Sequence, residues 1–163
     1  MSVRVVQWAL SGLDRMAARL PWNRRRQEPA HLQMGRRGEE AAYFWLRRNG
    51  FTVVARNWRP AHGPGELDLV AWERGVLCFI EVKTRARRTF VPAEAAVDLE
   101  KQHTLRAAAQ QFWLRAGGGA AFRFDVVSVY AEPGAAAEIR LIRNVFRAEW
   151  AGAMRPSPGA YSV

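Results

Sequence analysis

The chain has 163 residues, which is enough for one domain with a single hydrophobic core and short extensions. Apolar residues make up 49% of it, which argues against intrinsic disorder, and a net charge of +10 favours an anionic partner, nucleic acid before an anionic membrane surface. One cysteine, Cys78, excludes an intrachain disulfide framework, and no apolar run approaches the ~18 residues that span a bilayer, so a cytoplasmic protein is expected.

Residues 1–30 are predicted to form a basic amphipathic N-terminal extension. Six apolar residues at three-and-four spacing indicate one helical stripe: Val3, Val6, Leu10, Leu13, Ala17 and Leu20. Pro21 ends this helix, and the apolar run "VVQWAL" is too short for a secretory signal. The helix either packs on its own domain, or extends from it, or docks a partner or a membrane surface.

Residues 31–150 carry the periodic segments of one domain, and residues 151–163, rich in small residues, Pro and Gly, predict a disordered tail. In chain order the domain segments are a helix over about 36–48, a strand at 51–58, a hairpin of strands at 66–72 and 76–84, a helix over about 93–116 after Pro92, and strands at 121–130 and 138–146. The order helix, three strands, helix, two strands predicts an α/β domain.

The predicted hairpin combines apolar residues with Glu66, Asp68, Glu81 and Lys83. Alternation places residues two apart on one face of a strand, and the tight turn "ERG" makes the strands antiparallel neighbours, so Asp68 and Glu81 are expected to lie close together. Ionised groups on a buried strand need compensation. The alternative is a surface hairpin whose charged face is solvated.

A divalent cation would compensate the two carboxylates, because oxygen ligands suit Mg²⁺ or Mn²⁺, and the backbone carbonyl of Val82 could add a ligand. Lys83, two positions beyond Glu81, could orient a water or stabilise charge on a phosphate. These groups suit hydrolysis of a phosphodiester. No Ser-His or Cys-His constellation points to acyl transfer, and nothing around His62 and His103 suggests a His-metal nuclease.

Six sequence blocks spread over about residues 35–130 carry a resemblance to a known family. In order they are "GRRGEEAAYFWLRRNGF", "RNWR", "GELDLV", "FIEVKTR", "VDLEKQHTLRAAAQQFW" and "RFDVVSV". They resemble the uncharacterised bacterial YraN family, which is similar to archaeal Holliday-junction resolvases in the PD-(D/E)xK nuclease superfamily. The resemblance implies a restriction-endonuclease-like core, with a mixed central sheet flanked by helices.

The same resemblance implies that Asp68 and Glu81 are metal ligands and that Lys83 is the catalytic lysine. It also matches Glu39 to a further acidic residue of the resolvase-like site, although a Glu in the first turn of a helix is favoured by the helix dipole alone. Glu66 could assist through a water. Leu67 replaces the proline of the superfamily motif and leaves the Asp68 ligand intact.

Several basic residues are candidates for contact with nucleic acid. Arg85, Arg87 and Arg88 follow the strand that carries Lys83 and could clamp a phosphate, or they could form an ordinary basic loop. Arg59 beside Trp58 could stack on an unpaired base, although a Trp is more often in the core. Lys101 either lies near the metal or belongs to a solvated helix face. Asp125 is expected to be structural and to pair with an arginine.

The sequence thus predicts a metal-dependent endonuclease that uses Mg²⁺ or Mn²⁺ and acts on structured, branched nucleic acid, with DNA favoured over RNA. A resolvase-like enzyme on a two-fold symmetric junction would be a homodimer. The rival prediction is a non-catalytic nucleic-acid-binding module with the same fold. Since all cations except Lys83 and Lys101 are arginine, a GC-rich coding bias is another source of the positive charge.

Overall fold

A computed structural model describes residues 29–85, 97–131 and 137–148. Along these ranges the elements are α1 (Ala30–Arg48), β1 (Thr52–Trp58), β2 (Leu67–Glu73), β3 (Val76–Arg85), α2 (Leu99–Arg115), β4 (Phe122–Tyr130) and β5 (Glu138–Phe146). The predicted order of helix, three strands, helix and two strands is confirmed. The predicted N-terminal helix, Arg87, Arg88, Pro92 and the tail at 151–163 lie outside the described residues.

The strands form a mixed sheet in the spatial order β1-β2-β3-β4-β5. Neighbouring strands are antiparallel except β3 and β4, which run parallel and are separated in the chain by α2, since parallel strands need a crossover connection. The β2–β3 turn has Arg74 and Gly75 at φ of 47° and 81°, as the two-residue turns that join hairpin strands require. Because β1 and β4 flank the hairpin, its strands β2 and β3 are both interior strands of the sheet.

Among the described residues, one helix packs on each face of the sheet. Ala42 and Leu46 of α1 pack into a core cluster with Ala71 and Ile80 from the central strands. On the other face, α2 contributes to a second cluster through Leu105, Ala108, Ala109 and Trp113. This arrangement confirms the predicted α/β class, with a mixed central sheet between helices.

Both helices begin at positions other than those predicted. α1 starts at Ala30 rather than near 36, because residues 30–34 are also compatible with a helix. α2 starts at Leu99 rather than near 93, because Asp98 is extended and its Oδ1 accepts from the Lys101 N–H at 2.7 Å as an N-cap. Within the described ranges no helix is both long and apolar enough to cross a bilayer.

Asp125 pairs with an arginine, as expected. The Arg123 Nε donates to both oxygens of Asp125, at 3.0 and 2.8 Å, and the Arg123 guanidinium also bonds to Glu73, which is paired with Arg143. Burial raises the pKa of Glu73, but hydrogen bonds from Arg143 and Arg123 outweigh it and hold that pKa below its ordinary value. The network ties β2, β4 and β5 together, so its role is structural.

Candidate active site

Two carboxylates lie next to each other across the central strand pair. The register of β2 and β3 pairs Leu69 with Ile80, so the next position outward places Asp68 opposite Glu81. Phe79, two residues before Glu81, belongs to the core cluster that α2 covers. By strand alternation, Glu81 and its neighbour Asp68 therefore face α2.

The Asp68 carboxylate is held by the backbone of β3 and by the charges around it. The Val82 N–H donates to Asp68 Oδ2 at 2.7 Å. Burial, followed by the negative charge of Glu81, raises the pKa of Asp68 to about 7, although the Val82 hydrogen bond and Lys101 act in the opposite direction. A buried carboxyl group that titrates near neutrality beside a specific charge partner is typical of a functional site.

Glu81 is the most buried ionisable group of this cluster, with 5% of its side chain exposed. Its Oε1 lies 2.9 Å from Lys83 Nζ and 3.2 Å from Lys101 Nζ. Its Oε2 is buried and has no hydrogen-bond partner among the described residues. An acceptor left bare in this way is costly, so Oε2 is an open ligand position.

The two lysines come from different elements. Lys83 follows Glu81 on β3, whereas Lys101 stands in the first turn of α2, where the Asp98 cap holds the backbone. About a third of each lysine side chain is exposed, 33% and 34%. The ammonium groups therefore balance the two carboxylates in charge and still reach toward solvent, where a phosphate could approach them.

Glu39, on α1, approaches this site without joining the carboxylate pair. Its Oε2 accepts from Asn57 Nδ2 at 2.8 Å, and its charge contributes to the raised pKa of Asp68. The helix-dipole explanation of Glu39 fails, because α1 begins at Ala30 and has no acidic residue in its first turn. Glu39 is thus placed toward the site by Asn57 and not by a helix terminus.

Asn57 is a residue of this region that sequence reasoning missed. The β1–β2 register pairs Arg56 with Leu69 and Trp58 with Leu67, which places Asn57 across from Asp68. Asn57 has a φ of 46°, a left-handed conformation that Asn tolerates better than most residues. The signal in the sequence was an Asn inside a strand, a position where Asn is depleted. A row of three polar residues, Asn57, Asp68 and Glu81, therefore crosses β1, β2 and β3.

The donor set of the site suits one kind of metal ion. Asp68 and Glu81 offer carboxylate oxygens, one of them without a partner, and hard oxygen ligands suit Mg²⁺ or Mn²⁺. In the part of the chain that the structure describes, no group of three or more His, Cys, Asp or Glu side chains is arranged to hold a metal, and His62 and His103 are exposed. The site therefore suits an ion that is held by two carboxylates and keeps several water ligands, as Mg²⁺ usually does in proteins.

The predicted nucleic-acid-binding residues are placed in different ways. Arg85 ends β3, two residues beyond Lys83, and Arg59 is 73% exposed but paired with Glu66 at 2.7 Å. Lys101 lies on Glu81, inside the carboxylate cluster. The Trp58 ring packs edge-on against the Phe112 ring of α2, with centroids 5.2 Å apart, and both rings pack against the core. Trp58 is therefore part of the packing of the domain, as the alternative prediction stated.

The loop before β2 passes close to α2. Gly65 has a φ of 111°, and a Cβ there would meet the Thr104 carbonyl oxygen at 2.7 Å, so only glycine fits. Glu66 precedes the first residue of β2, so strand alternation does not align it with Asp68, and its carboxylate is taken by Arg59. The loop thus brings β2 to the site without adding Glu66 to it.

Comparisons with known proteins identify relatives of this chain. The sequence profile of "Uncharacterised protein family UPF0102" matches residues 38–129. A UPF0102 protein of Koribacter versatilis is 47% identical over 119 residues, which cover 73% of this chain and 82% of the relative. One of Solibacter usitatus is 47% identical over 135 residues, 82% and 97% of the two chains, and one of Desulforamulus reducens is 40% identical over 115 residues, 68% and 93%. Glu39, Asp68, Glu81, Lys83 and Lys101 lie within the range that the family profile covers.

Proposed function

This chain belongs to the uncharacterised protein family UPF0102, and from that premise we propose that it is a divalent-metal-dependent endonuclease that hydrolyses phosphodiester bonds in structured nucleic acid. The expected membership of an uncharacterised bacterial family is confirmed. The description of that family names no reaction. The proposal therefore depends on the site around Glu81.

One observation carries the proposal: Glu81 is almost fully buried, its Oε2 lacks a partner among the described residues, and a second carboxylate, Asp68, faces it. Two carboxylates at close range, one buried and one half-buried, repel each other unless a cation lies between them. Asp68 and Glu81 would hold Mg²⁺ or Mn²⁺. When bound, this ion supplies the Lewis acidity that polarises a phosphoryl oxygen and activates a water.

Each side chain of the site would have a different role in this reaction. Lys83 and Lys101 hold Oε1 of Glu81, which leaves Oε2 for the ion, and their partly exposed ammonium groups place positive charge where a scissile phosphate would lie. The Val82 N–H fixes Asp68. Glu39, held by Asn57, adds negative charge at the rim and would orient a water near Asp68.

The proposed substrate is recognised by shape and backbone charge. The net charge of +10 suits phosphate contacts, and Arg85 at the end of β3, two residues beyond Lys83, would supply one of them. We propose DNA rather than RNA as the substrate and, on the resemblance of the sequence blocks to Holliday-junction resolvases, a branched substrate cut by a homodimer in the cytoplasm.

One observation favours a second candidate function, a nucleic-acid-binding module without catalysis. Lys83 and Lys101 both lie on Oε1 of Glu81, so two ammonium groups can neutralise the two carboxylates without any metal. In that case the fold and the basic surface would bind nucleic acid, and the charged cluster would serve only to stabilise the sheet.

A cleavage assay separates the two functions. The unaltered protein, Glu81→Gln and Asp68→Asn are incubated with four-way, duplex and single-stranded substrates of DNA and RNA in Mg²⁺, Mn²⁺ or EDTA. Glu138→Gln, an exposed carboxylate on the far edge strand β5, is the matched control. We expect metal-dependent cleavage by the unaltered protein and by the control only. Binding without cleavage by well-folded unaltered protein on every substrate would favour the module.

A further inference from the structure

We propose that a groove between α1 and β1 holds the phosphodiester backbone of the nucleic-acid strand that enters the candidate active site. This inference rests on the proposed function and extends it to the path of the substrate. The groove, here called the α1–β1 groove, has a volume of about 580 Å³. Its lining includes three arginines from the two elements, Arg36, Arg37 and Arg56, and the amide side chains of Gln33 and Asn57.

The α1–β1 groove and the surroundings of Asp68 share Glu39, which lines the groove and whose charge acts on Asp68. Glu39 and Asn57 line the groove and are hydrogen-bonded to each other at 2.8 Å. The strand register places Asn57 across from Asp68, on the neighbouring strand. In this proposal, a strand of nucleic acid lying in the groove passes Glu39 on its way to Asp68.

The arginines of the groove are suited to a phosphate. Arg56 lies with its guanidinium 4.6 Å from the centre of the Tyr43 ring, and that ring is also contacted by Arg47, whose Nη1 donates to the Tyr43 hydroxyl at 2.9 Å. A guanidinium held against an aromatic ring is pre-oriented and keeps N–H donors that can fork to a phosphate. In the ranges that the structure describes, neither Arg37 nor Arg56 forms an ion pair with a carboxylate.

The charge pattern selects the occupant. Glu39 and Glu40 offset two of the three guanidinium charges of the groove. The groove therefore does not attract every anion by net charge alone. The guanidinium donors of Arg37 and Arg56 suit the phosphates of a nucleic-acid backbone. An acidic peptide, which would offer carboxylates in place of phosphates, is the alternative occupant that competition with polyglutamate tests.

Binding of a labelled single strand and a labelled four-way DNA junction, measured by fluorescence anisotropy in EDTA between 50 and 200 mM salt, tests the proposal. Arg37→Ala and Arg56→Ala are compared with Arg140→Ala, which removes the same charge from an exposed position on the opposite edge strand. We expect each groove variant to weaken binding roughly threefold to tenfold and to reduce the salt slope by about one, and Arg140→Ala to change affinity less than twofold.

Two readouts separate this inference from the proposed function. If the groove variants bind like Arg140→Ala while the unaltered protein cleaves in Mg²⁺, the groove assignment is wrong and the nuclease stands. If binding depends on the groove but no metal supports cleavage, the groove stands and the nuclease fails. The groove assignment would also be wrong if polyglutamate competed with DNA at equal charge concentration. It would likewise be wrong if the unaltered protein did not bind DNA. Arg37 is exposed, so its variant is expected to fold, and circular dichroism checks this.

Discussion

Lys101 on α2 reaches Glu81 on β3, with its Nζ 3.2 Å from Oε1, although the two residues belong to different layers of the domain. Lys83 Nζ approaches the same oxygen at 2.9 Å. One carboxylate oxygen thus receives two ammonium groups while the other receives none among the described residues. In the proposed mechanism, this asymmetry leaves Oε2 of Glu81 for a metal ion and places the two ammonium groups near a phosphate.

The two lysines are expected to contribute unequally to cleavage. Lys83→Met should lower kcat/KM roughly 10²- to 10³-fold, because Lys83 would stabilise charge in the transition state, and Lys101→Met should lower it at least about tenfold. Steady-state cleavage under the metal conditions that support the unaltered protein measures both. Glu100→Gln, an exposed change next to Lys101, is the control. Equal activity of Lys83→Met and Glu100→Gln would remove the catalytic role of Lys83.

A divalent ion is expected to stabilise the folded protein through Asp68 and Glu81. An ion that binds only the native state at a hundred times its dissociation constant adds about 2.7 kcal/mol to the free energy of unfolding, which raises Tm by several degrees. Thermal unfolding in Mn²⁺ against EDTA measures the shift. Asp68→Asn and Glu81→Gln should abolish it, whereas Glu138→Gln should keep it. The same shift in all four proteins would show that the ion binds elsewhere.

The acidic cluster was predictable in part. Alternation along two apolar strands and the short turn "ERG" are local features, and together they determine that Asp68 faces Glu81. The contact of Lys101 with Glu81 depends on how α2 packs on the sheet and on the helix start that Asp98 sets. Such a contact is tertiary, so periodicity could place Lys101 on a helix but not against a particular carboxylate.

The contribution of Asn57 could not be derived for a related reason. Its left-handed φ and the register of β1 on β2 appear only when the edge strand is paired, and a bulge between Val53 and Ala55 shifts that register by one residue. A strand that slips by one residue exchanges its two faces. The sequence pattern of β1 therefore indicated a strand without indicating which of its side chains reach Glu39.

The free energy of unfolding is expected to depend on pH through Asp68. Its pKa of about 7 in the folded state lies above the ordinary value of a carboxyl group, so between the two values the native state holds a proton that the unfolded state has released. Stability from this group is therefore present at low pH and lost as pH rises. The loss is roughly 2–3 kcal/mol between pH 5 and pH 8.

Urea unfolding in EDTA at pH 5, 6, 7 and 8 measures this contribution as the difference between the unaltered protein and Asp68→Asn. The amide keeps an oxygen for the Val82 N–H and does not titrate, so other ionisable groups cancel in the difference. We expect the difference to shift against the unaltered protein as pH rises. A difference independent of pH would mean that Asp68 is ionised across the whole range.

The close approach of α1 to β3 is expected to depend on Gly38. Gly38 is buried, and a Cβ at this position would collide with the side chain of Thr84 on β3. Gly38→Ala should therefore destabilise the protein by about 1–3 kcal/mol through overpacking. Gly35, one turn earlier in α1, has open space where alanine would place its methyl group, with no neighbouring atom within 4 Å, so Gly35→Ala should stabilise by about 0.5–1 kcal/mol through helix propensity. Urea unfolding of the two variants gives both values.

The same pair of variants links packing to the site. Because Glu39 follows Gly38 directly, a displacement of α1 away from β3 would also move Glu39 and its hydrogen bond to Asn57. We expect Gly38→Ala to lose cleavage activity even where it remains folded, and Gly35→Ala to retain it. Opposite signs of the stability change in two Gly→Ala substitutions of one helix cannot come from helix propensity, which favours alanine at both positions. A stabilised Gly38→Ala would instead show that Thr84 moves aside and that α1 does not need a glycine there.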